Sequence, residues 1–554
     1  MTNITKAWKP MQLSKRKRIV IMSLIGLTGV IILLSVIYRQ TALWEPEQHL
    51  ITLLPKSPVC YLTLKELKGL VETFNRSEFG KQTAEMPLLA EIREQRWWKE
   101  LVYQKLLWEY EMGGRLDLKM VTGYFGEETI LAVYQREGEF TFLLIAAVGG
   151  AEKLSIEAMT ATDAINPGYK RIQNRYGEFT INTITGYPRD FSYTFIGRIG
   201  ILSLDPTLLI ETLDIYNTRL PETKKEKNRQ DFLAEHPMRT EIQENYRQDK
   251  STGYADIKQI APILNTVQSN ALIKQIYGMF EGTDFWTFSN RYEDGVIISQ
   301  HHLRKRIDTN QSKLPAADDA KPFRAFPEQT AFVTTFSVPN QQMQELFGNI
   351  DLSQVLGTDL TVMLTAPEPG EVTVVPSLVL ITHAKAPEAL KGVLDIVRQG
   401  KISVAGQQLK FLEPQDYNGV PVQPVQLRLN FLLAVAGGYA IVDDYFVLGT
   451  TTAGLKAVID TVMGKTSALS DVMFPTDMDG VQVFIQPELL VPELRRFLPL
   501  VTVLASLTGQ ELDASLTRRI TENLFPLEFL GPISASVNFG EQNVDAEVRI
   551  VLEK

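Results

Sequence analysis

The chain has 554 residues, 44% of them hydrophobic and 22% charged, with a formal net charge of −9 and one cysteine. That composition suits a globular protein of two or more domains, and a lone cysteine excludes a disulfide-stapled scaffold. Six of the 56 basic residues precede residue 19, so the remainder carries 50 basic against 65 acidic residues; phosphate backbones repel such a body, and no nucleic-acid partner is expected.

Residues 1–18 form a basic arm with Lys6, Lys9, Lys15, Arg16, Lys17 and Arg18. They abut residues 19–38, "IVIMSLIGLTGVIILLSVIY", an uncharged stretch. At about 1.5 Å per residue it is long enough for the roughly 30 Å hydrocarbon core of a bilayer. No small-residue cleavage site follows, and the cysteine that a lipoprotein signal needs is absent there. The expectation is a retained signal-anchor: one single-pass transmembrane helix in a bacterial cytoplasmic membrane. The excess of basic residues before the span keeps the N-terminus in the cytoplasm and makes the bulk of the chain periplasmic or extracytoplasmic.

Beyond residue 45 the chain reads as a duplication. "LPKSPVCYLTLKELKGLVETF" from Leu54 and "FPEQTAFVTTFSVPNQQMQELF" from Phe326 both give a proline turn, an alternating strand and an amphipathic helix. "YFGEETILAVYQ" from Tyr124 matches "VLGTDLTVMLTA" from Val355, and "SYTFIGRIGILSLDPTLLIETLDI" from Ser192 matches "GGYAIVDDYFVLGTTTAGLKAVIDTV" from Gly437. "STGYADIKQIAPIL" from Ser251 matches "DGVQVFIQPELLVPEL" from Asp479. Polar hairpins close the two copies, "FWTFSNRYEDGVIISQHHL" from Phe285 and "ISASVNFGEQNVDAEVRIVLE" from Ile533.

Two α+β modules are expected, residues 45–303 and 327–554, joined by a polar, proline-containing linker over 304–326. Hairpins outnumber strand–helix–strand crossovers, which predicts mainly antiparallel sheet with helices packed on one face. The charged segment 219–250 reads as a solvated insertion. The apolar run 497–507 contains Pro499 and follows Arg495 and Arg496, which marks a core helix and not a second span.

The N-terminal anchor, the opening "LPKSPVCYLTLKEL", the stretch "YEMGGRLDLKMVTGYFGEETILAVY" from Tyr110 and "IGRIGILSLDPTLLIETLD" from Ile196 together resemble the DUF3352 family of bacterial membrane-anchored proteins. The resemblance implies the topology and the repeat. It implies no reaction and no catalytic residues.

No catalytic, cofactor or metal constellation is legible. "MGKTS" at 463–467 lacks the first glycine of a phosphate-binding loop and ends a helix, so Gly464 reads as a C-cap. The histidines, His49, His236, His301, His302 and His383, show no metal-ligand spacing, and adjacent His301 and His302 point to opposite faces of a strand. Asp443 and Asp444 fall in a turn between strands. Cys60, on an alternating strand, reads as a small buried hydrophobe.

One helix invites a ligand reading. Residues 91–114, "EIREQRWWKELVYQKLLWEYEMGG", carry Trp97, Trp98, Trp108 and Tyr110 on a broad apolar arc, a core-helix pattern whose outer aromatics could line a groove or an interface. The function expected is therefore non-enzymatic: an anchored envelope protein whose repeated domains bind or scaffold another envelope component. The alternatives are a carrier or chaperone for a lipid or other hydrophobic ligand, and an enzyme with a dispersed site.

Overall fold

The computed structural model describes most of residues 50–552; the longest stretches outside the description are 1–49, 110–127, 154–169, 219–231, 261–281, 306–322, 339–351, 470–479 and 508–521. The helices are Leu67–Arg76 (α1), Glu78–Thr83 (α2), Pro87–Glu94 (α3), Pro206–Asn217 (α4), Arg239–Gln248 (α5), Pro387–Gln399 (α6), Thr452–Val462 (α7) and Pro487–Leu507 (α8). Two compact units emerge: residues 1–68 with 104–239, and residues 69–103 with 240–554.

Among the described residues the first unit holds seven strands: Cys60–Lys65 (β1), Glu128–Arg136 (β2), Glu139–Ala147 (β3), Lys170–Tyr176 (β4), Phe179–Thr185 (β5), Phe191–Ile196 (β6) and Ile199–Ser203 (β7). They pair antiparallel in the order β1–β2–β3–β7–β6–β5–β4. One face buries Tyr61, Ile130, Ala132, Tyr134, Leu143, Ile145 and Ile201. Helix α4 starts where Asp205 accepts from the Thr207 amide and Pro206 fills the first turn. It packs on β6 and β7 and buries Leu208, Leu209 and Leu213.

The second unit holds Ser251–Asp256 (β8), Thr283–Glu293 (β9), Val296–Lys305 (β10), Thr330–Ser337 (β11), Leu356–Thr365 (β12), Ser377–Ala384 (β13), Ser403–Val404 (β14), Gln407–Phe411 (β15), Gln415–Tyr417 (β16), Val420–Arg428 (β17), Ala434–Val442 (β18), Tyr445–Gly449 (β19), Val481–Ile485 (β20), Ile533–Phe539 (β21) and Asn543–Val551 (β22). The order is β8–β9–β10–β22–β21–β20–β11–β12–β13–β19–β18–β17, antiparallel throughout. Strands β15 and β16 follow each other along the outer edge of β17. From β11 onward this order repeats that of the first unit, with β11, β12, β13, β19, β18 and β17 standing where β1, β2, β3, β7, β6 and β5 stand.

Helices cover both faces of this sheet, which corrects the expected one-sided packing. Leu455, Val458 and Ile459 of α7 join Val333, Met363, Val379, Ile381, Val447 and Phe484 in one core. Leu390 of α6 joins Leu360, Ala384 and Phe446 in another. Ile381 and Val447 lie on the opposite side of their strands from Leu380 and Phe446, because successive strand residues alternate faces. Gly454 lets the first turn of α7 approach β13: a Cβ there would lie 2.2 Å from the Ser377 hydroxyl. Helix α7 ends at Val462, and Gly464 follows at φ +69°, the left-handed geometry of a C-cap region.

The membrane architecture is also corrected. Among the described residues no helix is long and apolar enough to cross a membrane; what they form is a mainly antiparallel sheet, in place of the expected fold with a transmembrane, single-pass element. The segment on which that expectation rested, residues 19–38, lies outside the described residues. The longest helix among the described residues, α8, carries Glu488, Glu493, Arg495 and Arg496, charges too costly for a bilayer core.

Candidate functional site

The closing hairpins β9–β10 and β21–β22 meet edge to edge through β10 and β22. Gln300 pairs with Ser289 inside its hairpin, Glu547 pairs with Ser536 inside the other, and Gln300 and Glu547 pair with each other across the seam. The two residues are 247 positions apart and stand at equal distances from their turns, so the seam has a local two-fold relation centred between them.

Directly paired residues share a face, and the seam therefore belongs to one row of polar side chains: Thr252, Ser289, Gln300, Glu547, Ser536, Gln482, Thr335 and Thr361. The Gln300 amide donates to Glu547 Oε2 at 3.0 Å, and Arg549 Nε donates to Glu547 Oε1 at 2.7 Å. Burial alone would raise the Glu547 carboxyl; those hydrogen bonds and the charges of Arg549 and Arg291 outweigh it and hold the group below the usual carboxylate range. In the next row His302 Nδ1 lies 2.8 Å from Asp545 Oδ1. The hydroxyls of Thr287, Ser289 and Ser536 are buried without a hydrogen-bond partner among the described residues.

The opposite face of the same strands carries apolar rows, flanked by Asn290, Ser299 and Thr334. One row runs Ile297, Ile550, Ile533, Ile485, Phe332, and another Val548, Ala535, Val483. Along β21 the buried positions are Ser534 and Ser536, whereas Ile533, Ala535 and Val537 are half-buried and Phe539 is 42% exposed. Strand β9 repeats the pattern: Thr287 and Ser289 are buried, Trp286 and Phe288 half-buried. A sheet with one solvated face ordinarily does the reverse.

An aromatic cluster sits on this apolar face. Trp286 stacks on His301 with ring centroids 5.9 Å apart, and Phe288 packs beside both. Gly253 is required beneath Phe288, since a Cβ there would lie 2.2 Å from the ring. Burial, with His302 acting in the same direction, lowers the His301 pKa and keeps the ring neutral. The Trp286 indole donates to His301 Nδ1 at 3.3 Å, and Nε2 lies 2.9 Å from Ser299 Oγ. With Nδ1 occupied as an acceptor, Nε2 carries the proton and donates to Ser299. A histidine in that tautomer cannot take the serine proton, so the pair lacks the arrangement of a nucleophile and its base.

Of the residues singled out in the sequence, Trp97, Trp108 and Tyr110 lie outside the described residues. Trp98 is helical and half-buried, and nearby Tyr103 and Leu106 are 57% and 55% exposed. Cys60 is half-buried in β1, and burial raises its thiol pKa. His301 and His302 lie on opposite faces, and no group of three or more His, Cys, Asp or Glu suited to a metal gathers among the described residues. The polar row was missed; its signal is the alternation of Ser and Thr with large apolar residues in "FWTFSN" and "ISASVNF".

No protein-family model matches the chain, and no curated protein matches it. Among solved structures it is similar to three crystal forms of TP0453, at 8–10% identity and TM-scores of 0.23–0.25, covering 48–57% of this chain and 82–92% of that one. A likeness at that level does not establish a shared fold.

Proposed function

We propose that the chain is a non-enzymatic binding protein that scaffolds another envelope component, received on the apolar face of the β10–β22 seam. The observation that supports this reading is the reversed burial of β21, with serines buried and Ile533, Ala535, Val537 and Phe539 left half-buried or exposed. Contiguous apolar surface of that kind is a feature of interaction sites. The Ser299–His301–Trp286 geometry, which disfavours nucleophilic chemistry, agrees with it.

A photoreactive residue at position 546, between His301 and Val537 in the row, tests the proposal in the producing cells. The expected product is a discrete protein crosslink that disappears when Val548 becomes Glu. Crosslinks to lipid alone would support the carrier alternative and overturn the proposal.

A further inference from the structure

We propose that β4 is a docking edge for an acidic, extended segment of another protein, which adds to the first unit's sheet as an extra strand. Among the described residues β4 pairs on one side only, with β5. Tyr176 and Phe179 close a two-residue turn, so Tyr176, Asn174 and Ile172 exchange main-chain hydrogen bonds with β5. The amides and carbonyls of Arg171, Gln173 and Arg175 therefore face the other way, along the free edge.

Three features fit that edge to an acidic strand. Lys170, Arg171 and Arg175 are its only charged residues, against none of opposite sign. Ile172, at 47% exposure, offers an apolar contact. The corresponding edge in the second unit, on β17, is differently built: β15 and β16 are separated by Leu412, Glu413 and Pro414, and proline supplies no amide. Breaking an edge in this way blocks strand addition; β4 runs unbroken over seven residues. A second copy of this chain is a poor occupant, because antiparallel β4–β4 pairing centred on Gln173 would set Arg171 against Arg175.

The test uses the full chain and a peptide amide of about seven alternating Glu and Val residues, the length of one strand addition. Bound peptide should slow hydrogen exchange at the amides of Arg171, Gln173 and Arg175. Binding should fall about tenfold in the double variant Arg171→Glu, Arg175→Glu, with raised salt weakening the wild type similarly, and Gln173→Pro should abolish it. The proposal is overturned by equal binding of the same peptide N-methylated at alternate residues, which means charge without strand pairing. Unchanged exchange at β4 also overturns it, as does protection that appears without peptide as the chain dimerises.

Discussion

Gln300 and Glu547 occupy equal places in two hairpins 247 residues apart, and at the seam they are hydrogen-bonded to each other at 3.0 Å. An amide and a carboxylate at a two-fold position satisfy one another where two carboxylates would repel. Replacing Gln300 by Glu should therefore destabilise the chain by about 1–3 kcal/mol, with part of the loss recovered by acidification as one of the pair takes a proton. Denaturant unfolding at pH 7 and pH 5 measures this; equal losses at both would separate the two side chains energetically.

The wild-type pH dependence has the opposite sign. Glu547 titrates below the ordinary range in the folded chain. Its contribution is complete above the unfolded value, about 4.3, and is lost as pH falls through the lower folded one. The stability difference between the wild type and Glu547→Gln should shrink as pH drops below about 4. A difference that stays constant from neutral to acid pH contradicts the stated environment.

Ser289 and Ser536 bury hydroxyls without partners among the described residues. Removing an unsatisfied buried hydroxyl is neutral or stabilising, so Ser289→Ala and Ser536→Ala should each leave stability unchanged or raise it by up to about 1 kcal/mol. A clear loss in either would reveal a hydrogen bond at that position.

Gly253 and Phe288 form a size-matched pair across β8 and β9. Gly253→Ala should cost about 1–3 kcal/mol through overpacking. In a Phe288→Ala background the same change should cost little, and a double-mutant cycle reads the coupling.

The two hairpins were legible because "FWTFSNRYEDGVIISQHHL" and "ISASVNFGEQNVDAEVRIVLE" alternate on either side of a glycine-containing turn. Their mutual pairing was not, since local periodicity carries no record of a partner 247 residues away. Alternation also conceals which face is inward: Ser536 and Val537 are equally good strand neighbours, and only the assembled sheet buries the serine. The apolar length of residues 19–38 dominated the expected topology, whereas the described helices lack a membrane span. Helix placement was misjudged for a related reason, as the strand before α6 and the strand before α7 are apolar on both sides and leave the direction of each connection unspecified. The pairing of Trp286 with His301 was not legible, because fifteen positions separate them in sequence and the hairpin register alone brings the rings together.

Native mass spectrometry of the full chain isolated from the producing cells, wild type beside Val548→Glu, bears most directly on the proposed role of the apolar face. The expected wild-type spectrum holds the chain together with a protein of defined mass, and the expected variant spectrum holds a folded chain alone. A wild-type chain that carries only lipid, or that is indistinguishable from the variant, contradicts it.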